Sequence, residues 1–302
     1  MARQDVNRSG EIEVFARVVE LGGFSAAARA FRMTPSAVSK LVARLEARLG
    51  VRLVNRSTRK LQLTAEGAAF YERGVRILSD IDAAEQEASA GAAPRGRLRI
   101  NSSVAFGYEF LMPLMPGFLE SHPGISVDIT LTDTVVDLLE ERADVAIRVG
   151  PLRDSSLMTR KLGESRNIVV ASPDYLARHG VPRTLDDLMQ HNRLGFSFTR
   201  IFEGWPFLDT AGDIVRVPPV GNALVSDGDA MRHLALAGLG VARLSVFHIH
   251  RDIADGKLVT ILEDLNPGDT SPVTAIFAGQ SGYVPARVRA LLDYLVENVE
   301  LN

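Results

Sequence analysis

Residues 25–50, SAAARAFRMTPSAVSKLVARLEARLG, restrict what this chain can fold into more than any other stretch. They read as two short helices joined by a tight turn. Ser25 is placed to N-cap the first, which runs through Ala26, Ala27 and Ala28 to Phe31. Its hydroxyl would accept from one of the backbone N–H groups that a helix start leaves free. Met33 falls in the turn, and Thr34-Pro35 restarts the chain. Threonine is a good N-cap. Proline suits the first helical position, where its missing N–H goes unused and its φ is already helical. Gly50 stands where a left-handed residue would end the second helix.

The second helix has two unlike faces. Val38, Leu41, Val42, Leu45 and Leu49 recur at helical spacing and form an apolar stripe. Ser36, Ser39, Lys40 and Ala43 lie opposite, and all but the cation are short. Such a face fits a DNA major groove, as the recognition helix of a helix-turn-helix does. An ordinary helical hairpin with a solvated face fits the same residues, and the next segment separates the two readings. Residues 51–64, VRLVNRSTRKLQLT, read as a β-ribbon with strands at 52–54 and 61–63. Its tip carries Arg56, Arg59 and Lys60 beside Ser57 and Thr58. A wing of this kind can lie along phosphates and push an arginine into the minor groove.

With the wing, residues 24–67 closely resemble the winged helix-turn-helix of LysR-type transcriptional regulators. The resemblance is dense over residues 11–67 and looser to the C-terminus. It implies an α/β chain with an N-terminal winged helix-turn-helix and a two-lobed, periplasmic-binding-protein-like effector domain. On this expectation residues 1–67 bind DNA through Ser25, Thr34, Pro35, Ser36, Ser39, Lys40, Arg56, Arg59 and Lys60. Residues 68–92 form a linker and dimerisation helix, and residues 93–302 bind an effector. Lobe one would comprise residues 97–168 plus 271–302, lobe two residues 169–270, with crossing strands near 168–171 and 266–272. Many family members carry glutamine and proline where this chain has Pro35 and Ser36, so one base edge would be read by a hydroxyl. Many also have proline at Ser245, so the helix after it would start differently.

Charge agrees with this division. The net charge is −3, yet residues 30–60 hold Arg32, Lys40, Arg44, Arg48, Arg52, Arg56, Arg59 and Lys60 against Glu46 alone. A basic head on an acidic body suits a head that meets a polyanion. A chain of 302 residues, 46% of them hydrophobic, can bury two or three cores. Without cysteine it forms no disulfide and no thiolate metal site, which fits a reducing compartment. The N-terminus lacks an apolar signal core, and no apolar run is long enough to span a bilayer. A soluble, cytoplasmic protein with no membrane partner is the expectation.

Elsewhere the periodicity is plain. Residues 11–21 form a first helix with Ile12, Phe15, Val18, Val19 and Leu21 inward, ended by Gly22-Gly23; Phe24 packs beneath the second helix. A long helix over 65–90 places Phe70, Gly74, Ile77, Ile81, Ala84 and Ala88 at coiled-coil spacing, a seam for a homodimer or, by further pairing, a homotetramer. A linker helix packed on its own body is the other reading. Asp80, Asp82, Glu85 and Glu87 keep its end off DNA. Residues 90–96, AGAAPRG, break the chain. Strands at 97–101, 125–131 and 144–149 then alternate with helices at 106–121 and 135–142, a βαβαβ start to a parallel sheet. Further strands are expected at 168–171, 241–244 and 273–277, and helices at 173–179 and 285–299.

Ligands of open α/β sheets bind beyond the carboxyl ends of strands. That points to Asn101-Ser102-Ser103, Thr132-Asp133 and Arg148-Val149-Gly150, faced from the second lobe by Phe196-Ser197 and Asn222. In the family these positions line the effector cleft. Hydroxyls and a helix N-terminus there favour a small anionic metabolite. Ser102 and Ser103 fit helix capping equally, Arg148 fits an ion pair with Asp133 or Glu109, and Asp133 fits a helix cap. Gly238-Leu239-Gly240 lacks a third glycine and follows a helix, so it makes a poor nucleotide loop. His248-Ile249-His250 reads as a surface pair rather than a metal site. Trp205 reads as packing. No G-x-S-x-G nucleophile motif occurs, and no cofactor is expected. A hydrolase with a helical appendage, or a DNA-bridging protein with a vestigial cleft, are the rival readings.

Overall fold

The computed structural model describes residues 7–56, 61–88, 93–133, 143–152, 157–198, 204–277 and 284–301. They form two compact units, residues 1–92 and 93–302. In the first unit, α1 (Arg8–Glu20), α2 (Phe24–Ala30) and α3 (Pro35–Leu49) precede a ribbon of β1 (Val54–Arg56) and β2 (Leu61–Leu63), and α4 (Ala65–Ala88) follows. Phe15, Val18, Ala27, Val38, Leu45 and Leu53 make its core, with Phe24 and Phe70 packed at the edge. The inward stripe of α1 is fuller than expected, since Val14 and Ala16 are also buried, whereas Leu21 is exposed.

Three local features depart from the expected pattern. α2 starts at Phe24, so Ser25 lies inside its first turn and Gly23 takes the cap position without a side-chain bond. The helix thus starts two residues earlier than expected, just after the backbone reverses at Gly22, with φ of 71°. β1 begins at Val54 rather than at residue 52. Leu53 accepts from the Thr64 N–H across the ribbon but gives its own N–H to Glu46, so the pairing there is only half made. Arg56 therefore pairs with Leu61 as a strand residue, while residues 57–60, including Arg59 and Lys60, lie outside the described ones.

On α4, the expected seam is divided. Phe70 packs tilted against Phe15, ring centres 5.8 Å apart, and Gly74 is buried, with the Ile12 methyl filling the place of a side chain. These two positions serve the intramolecular core. Ile77 is 46% exposed and Ile81 is half-buried. The side chains of Ala84 and Ala88 are outside the described residues. Gly67 is required by close approach, because a Cβ there would lie 2.0 Å from the Leu53 carbonyl oxygen.

The second unit alternates strands and helices. β3 (Gly96–Ser102) leads into a helical run of α5 (Val104–Phe106), one π turn (Gly107–Leu111) and α6 (Met112–Ser121), followed by β4 (Ile125–Leu131) and β5 (Val145–Val149). β3 pairs in parallel with β4 on one side and β5 on the other. The expected helix at 135–142 lies outside the described residues. β6 (Met158–Ala171) is far longer than the alternation at 168–171 suggested. Its exposed early residues, such as Thr159 and Arg160, carry no apolar rhythm.

Beyond β6 come α7 (Pro173–His179), α8 (Leu185–Gln190), β7 (Gly195–Phe196), β8 (Trp205–Leu208), β9 (Ile214–Val217), β10 (Leu224–Val225) and α9 (Gly228–Leu236). The chain closes with β11 (Ala242–Ser245), α10 (Val246–Ala254), β12 (Val259–Ile261), β13 (Thr270–Phe277) and α11 (Ala286–Asn298). The first part of β6 pairs antiparallel with β13, which pairs with β5; its last part pairs with β11 and β12. One strand thus belongs to two lobes, and the described sheet runs β11-β6-β13-β5-β3-β4. Where β6 changes lobe, Ile168 and Val170 face one core while Val169 and Ala171 face another, the two-residue alternation of a strand buried on both sides.

Candidate nucleic-acid interface and effector cleft

The first unit builds its exposed polar face on α3. Thr34 caps the helix: its Oγ1 accepts from the Ala37 N–H at 3.2 Å, and Pro35 follows at the first turn. The Thr34 and Ser36 hydroxyls lie 3.1 Å apart. Ser36 and Lys40 are exposed and Ser39 is half-buried, while Val38, Val42 and Leu45 are buried on the opposite side. Gly50, at φ 75°, ends the helix.

Two buried carboxylates hold this helix, and only one of them stands in the basic stretch. Glu11, from α1, is 1% exposed and receives Arg44 at 2.5 Å and Arg48 at 3.1 Å. Glu46, 5% exposed, accepts from the N–H groups of Leu53 at 2.8 Å and Val54 at 3.2 Å, and meets Arg52 at 3.4 Å. A buried carboxylate without such partners would be costly. Three of the eight basic residues of 30–60 are thereby paired with a carboxylate inside the unit, though Arg44 and Arg52 stay exposed at 57% and 69% of their side chains, and Lys40 and Arg32 are exposed as well. Glu11 was missed because it stands on a different helix, far along the chain. A charged residue between Gly10 and Ile12, on a helix otherwise apolar inward, was the available signal.

The strand ends of the second unit converge on a carboxylate. Ser102 and Ser103 are buried, and the Ser102 hydroxyl donates to the Ser103 carbonyl at 3.1 Å. The Ser103 N–H bonds the Ile147 carbonyl, and the Thr132 N–H bonds the Ser102 carbonyl, both at 2.9 Å. Asp133 then reaches over the start of the following helix. Its Oδ1 accepts from the Val104 N–H at 3.0 Å, and its Oδ2 from the Gly228 N–H at 3.2 Å. Val104 belongs to the first lobe and Gly228 opens α9 in the second. Burial pushes the Asp133 carboxyl up; the Gly228 and Val104 N–H groups oppose that, Asp227 adds to it, and Arg148 opposes it.

The remaining strand-end residues have other engagements. Arg148 donates from Nη1 to the Ile147 carbonyl. The Gly150 N–H bonds the Pro272 carbonyl, and Val149 registers with Val273 on β13. Glu109 lies 3.8 Å from Arg251. In the second lobe, Phe196 packs on Phe198, the N–H and hydroxyl of Ser197 both donate to the Val225 carbonyl, and Asn222 exchanges bonds with Asn192. The group that joins the lobes beside Ser102 and Ser103 is the Asp133–Gly228 pair.

His248 is 4% exposed, so it is not a surface residue. Its Nε2 lies 3.2 Å from Asp229, and Gly228 stands against its ring and against Ala105. Burial pushes its pKa down, against the opposing effect of Asp229. Phe247, on the same helix, joins the core of the first lobe, 5.8 Å from Phe110. The ion pair of Arg232 with Asp252 braces α9 against α10. Sequence missed Gly228, although Asp227, whose side chain caps Ala230, marks the helix start. Ser245 occupies the N-cap of α10 but gives its hydroxyl to Asn167, so the proline absent here leaves room for a strand-to-helix bond. Gly238, at φ 72°, reverses the chain after α9 and holds no nucleotide-loop geometry. Trp205 is buried in the second lobe's core.

Two family models cover the chain: "Bacterial regulatory helix-turn-helix protein, lysR family" matches residues 10–68, and "LysR substrate binding domain" matches residues 91–300. The chain belongs to the LysR family. It is a LysR-type transcriptional regulator with an effector-binding domain, not an enzyme. The regulator CrgA of Neisseria meningitidis (serogroup C, strain 8013) is 41% identical over 295 residues, 97% of this chain and 98% of its own. The activator AaeR of Escherichia coli K12 is 34% identical over 297 residues, covering 97% and 95%. The solved structure of CrgA from Neisseria meningitidis matches with a TM-score of 0.62 at 40% identity, covering 96% and 98% of the two chains. Full-length AphB of Vibrio cholerae matches at 0.59 and 28%, covering 95% and 98%. Among the described residues no helix of this LysR-type regulator is long and apolar enough to cross a membrane.

Proposed function

We propose that this regulator binds a specific double-stranded operator through residues 1–67, as a homodimer or homotetramer, and that a small anionic metabolite held between the two lobes modulates that binding. The observation that carries the reading is the exposed face of α3. Ser36 and Lys40 project from a helix whose far side is locked by Val38, Val42 and Leu45, and whose neighbouring arginines are held by Glu11. Ser36, Ser39 and Lys40 read base edges. Ser25, in the first turn of α2, and Thr34 and Pro35, at the start of α3, lie against the phosphates, and Arg56, Arg59 and Lys60 on the wing add groove and backbone contacts. Residues 68–92 pair two copies through Ile77 and Ile81, so that two recognition helices meet two half-sites. Residues 93–302 form the effector unit, its cleft lined by Ser102, Ser103, Thr132, Asp133, Arg148, Val149 and Gly150 and by Phe196, Ser197 and Asn222.

A ligand that touches both lobes shifts their arrangement by its difference in affinity for the closed and open forms. N–H groups at two helix starts favour a negative charge at the seat. DNA binding is tested on a mapped operator at fixed salt. Lys40→Ala relaxes sequence discrimination by about 1–3 kcal/mol if it makes a bidentate base contact. Lys60→Ala weakens all sequences alike. Unchanged affinity in both variants refutes the assignment.

A further inference from the structure

Asp133 lies in the cleft proposed above for the effector. Its two oxygens are bonded to N–H groups from opposite lobes, Val104 at 3.0 Å and Gly228 at 3.2 Å. Each N–H opens a helix, the run over 104–121 and the nine-residue α9. The positive ends of both helices therefore converge on a carboxylate the chain supplies itself. On the residue before Val104, the Ser103 hydroxyl is buried and has no hydrogen-bond partner among the described residues. Around it the two lobes touch: Gly228 lies against Ala105, and Phe247 enters the first lobe's core.

We propose that Asp133 is a built-in substitute for the effector's oxyanion: it latches the lobes closed in the unliganded protein, and the effector binds by displacing it from the Val104 and Gly228 N–H groups. The displacement rests on the cleft reading above; the latch rests on the geometry alone. A tethered carboxylate competes at an effective concentration in the millimolar range or higher, which weakens a free anion by the ratio of that concentration to its own affinity. Aspartate at this position thus sets a threshold. The effector must bring a second anchor to beat the tethered group, and we assign that anchor to Ser103, whose buried hydroxyl has no partner among the described residues. An anion of acetate size, with no second anchor, does not displace Asp133 from the wild-type protein but fills the gap once the carboxylate is removed.

The test is chemical rescue in the full chain, without DNA. Amide exchange at Val104 and Gly228 and the melting temperature are measured for wild type, Asp133→Ala and Asp133→Asn. Sodium acetate, acetamide and sodium chloride are compared, with ionic strength held constant for the salts. Loss of the charged acceptor should speed exchange of both amides about tenfold in Asp133→Ala. Acetate at about 100 mM, well into the millimolar range of a tethered group, should slow them again and raise the melting temperature, with acetamide and chloride inert and wild type unresponsive. Asp133→Asn, which keeps the shape and one acceptor oxygen, should speed one of the two amides more than the other. If Asp133→Ala does not fold, this variant carries the reading: wild-type exchange at both amides overturns the latch. Equal acetate stabilisation of wild type and Asp133→Ala also overturns it, as does unchanged exchange in Asp133→Ala. None of these results touches operator binding through α3, which is read separately with Lys40→Ala.

Discussion

Replacing Glu46 should unseat the wing while leaving the recognition face intact. The carboxylate sits on the α3 side turned away from Ser36 and Lys40, and its Oε1 accepts from two successive N–H groups, Leu53 at 2.8 Å and Val54 at 3.2 Å. Leu53 is fully buried and Val54 is 4% exposed. Glu46→Ala strands both donors. Each unsatisfied buried N–H costs about 1–3 kcal/mol, so the sum is about 2–6 kcal/mol, and water entering the gap brings the expectation to about 3 kcal/mol. The Arg52 contact adds little, because that guanidinium is 69% exposed. Glu46→Gln keeps an acceptor oxygen in place and should cost about 1 kcal/mol. The assay is urea unfolding followed by far-UV circular dichroism. The single tryptophan, Trp205, lies in the second unit, so its fluorescence should not move. Operator affinity should fall alike for cognate and non-cognate DNA, on the proposed role of the wing as a phosphate contact. A Glu46→Ala midpoint within about 0.5 kcal/mol of wild type, or Glu46→Gln as damaging as Glu46→Ala, refutes the acceptor argument.

Gly67→Ala sets a helix-propensity gain of about 1 kcal/mol against a clash with backbone, which overpacking puts at about 1–3 kcal/mol or more; a net loss is expected by circular dichroism, and unchanged or higher stability would contradict the 2.0 Å approach to Leu53. His248 is buried among Asp229, Arg232 and Glu109, and its pKa is depressed chiefly by burial. The unfolded chain therefore binds the extra proton first, so stability is full above the ordinary histidine value of 6.5 and is lost as pH falls through the folded value. His248→Phe should flatten that loss in Trp205-monitored unfolding, and an unaltered slope would exclude it. Ile81→Asp should drive the protein toward monomer and lower operator affinity, since a charge enters the proposed seam; sedimentation showing the intact oligomer would assign the pairing elsewhere.

Local chemistry is legible from the chain itself. Thr34, Pro35 and Gly50 bound α3 because a cap, a preset φ and a left-handed stop act within a few residues. The stripe of Val38, Val42 and Leu45, the alternation over 125–131 and the helix at 173–179 are equally local, and each appears in the fold. What the tertiary structure decided is where partners meet across long separations. Glu11 reaches Arg44 and Arg48 from another helix, which gives two cations of the basic stretch a carboxylate partner that their own sequence neighbourhood does not show. Phe70 and Gly74 turn inward because Phe15 and Ile12 are there to receive them, and no heptad count can distinguish that from a partner copy. The early half of β6 has no apolar rhythm because its order comes from β13, more than a hundred residues later. From sequence Asp133 reads as a cap for the helix that follows it, and its bond to the Val104 N–H, 29 residues earlier, is not part of that reading. Its second bond, to Gly228, exists only because a returning helix brings another unpaired N–H within reach, and burial between two helix starts has no signature along the chain.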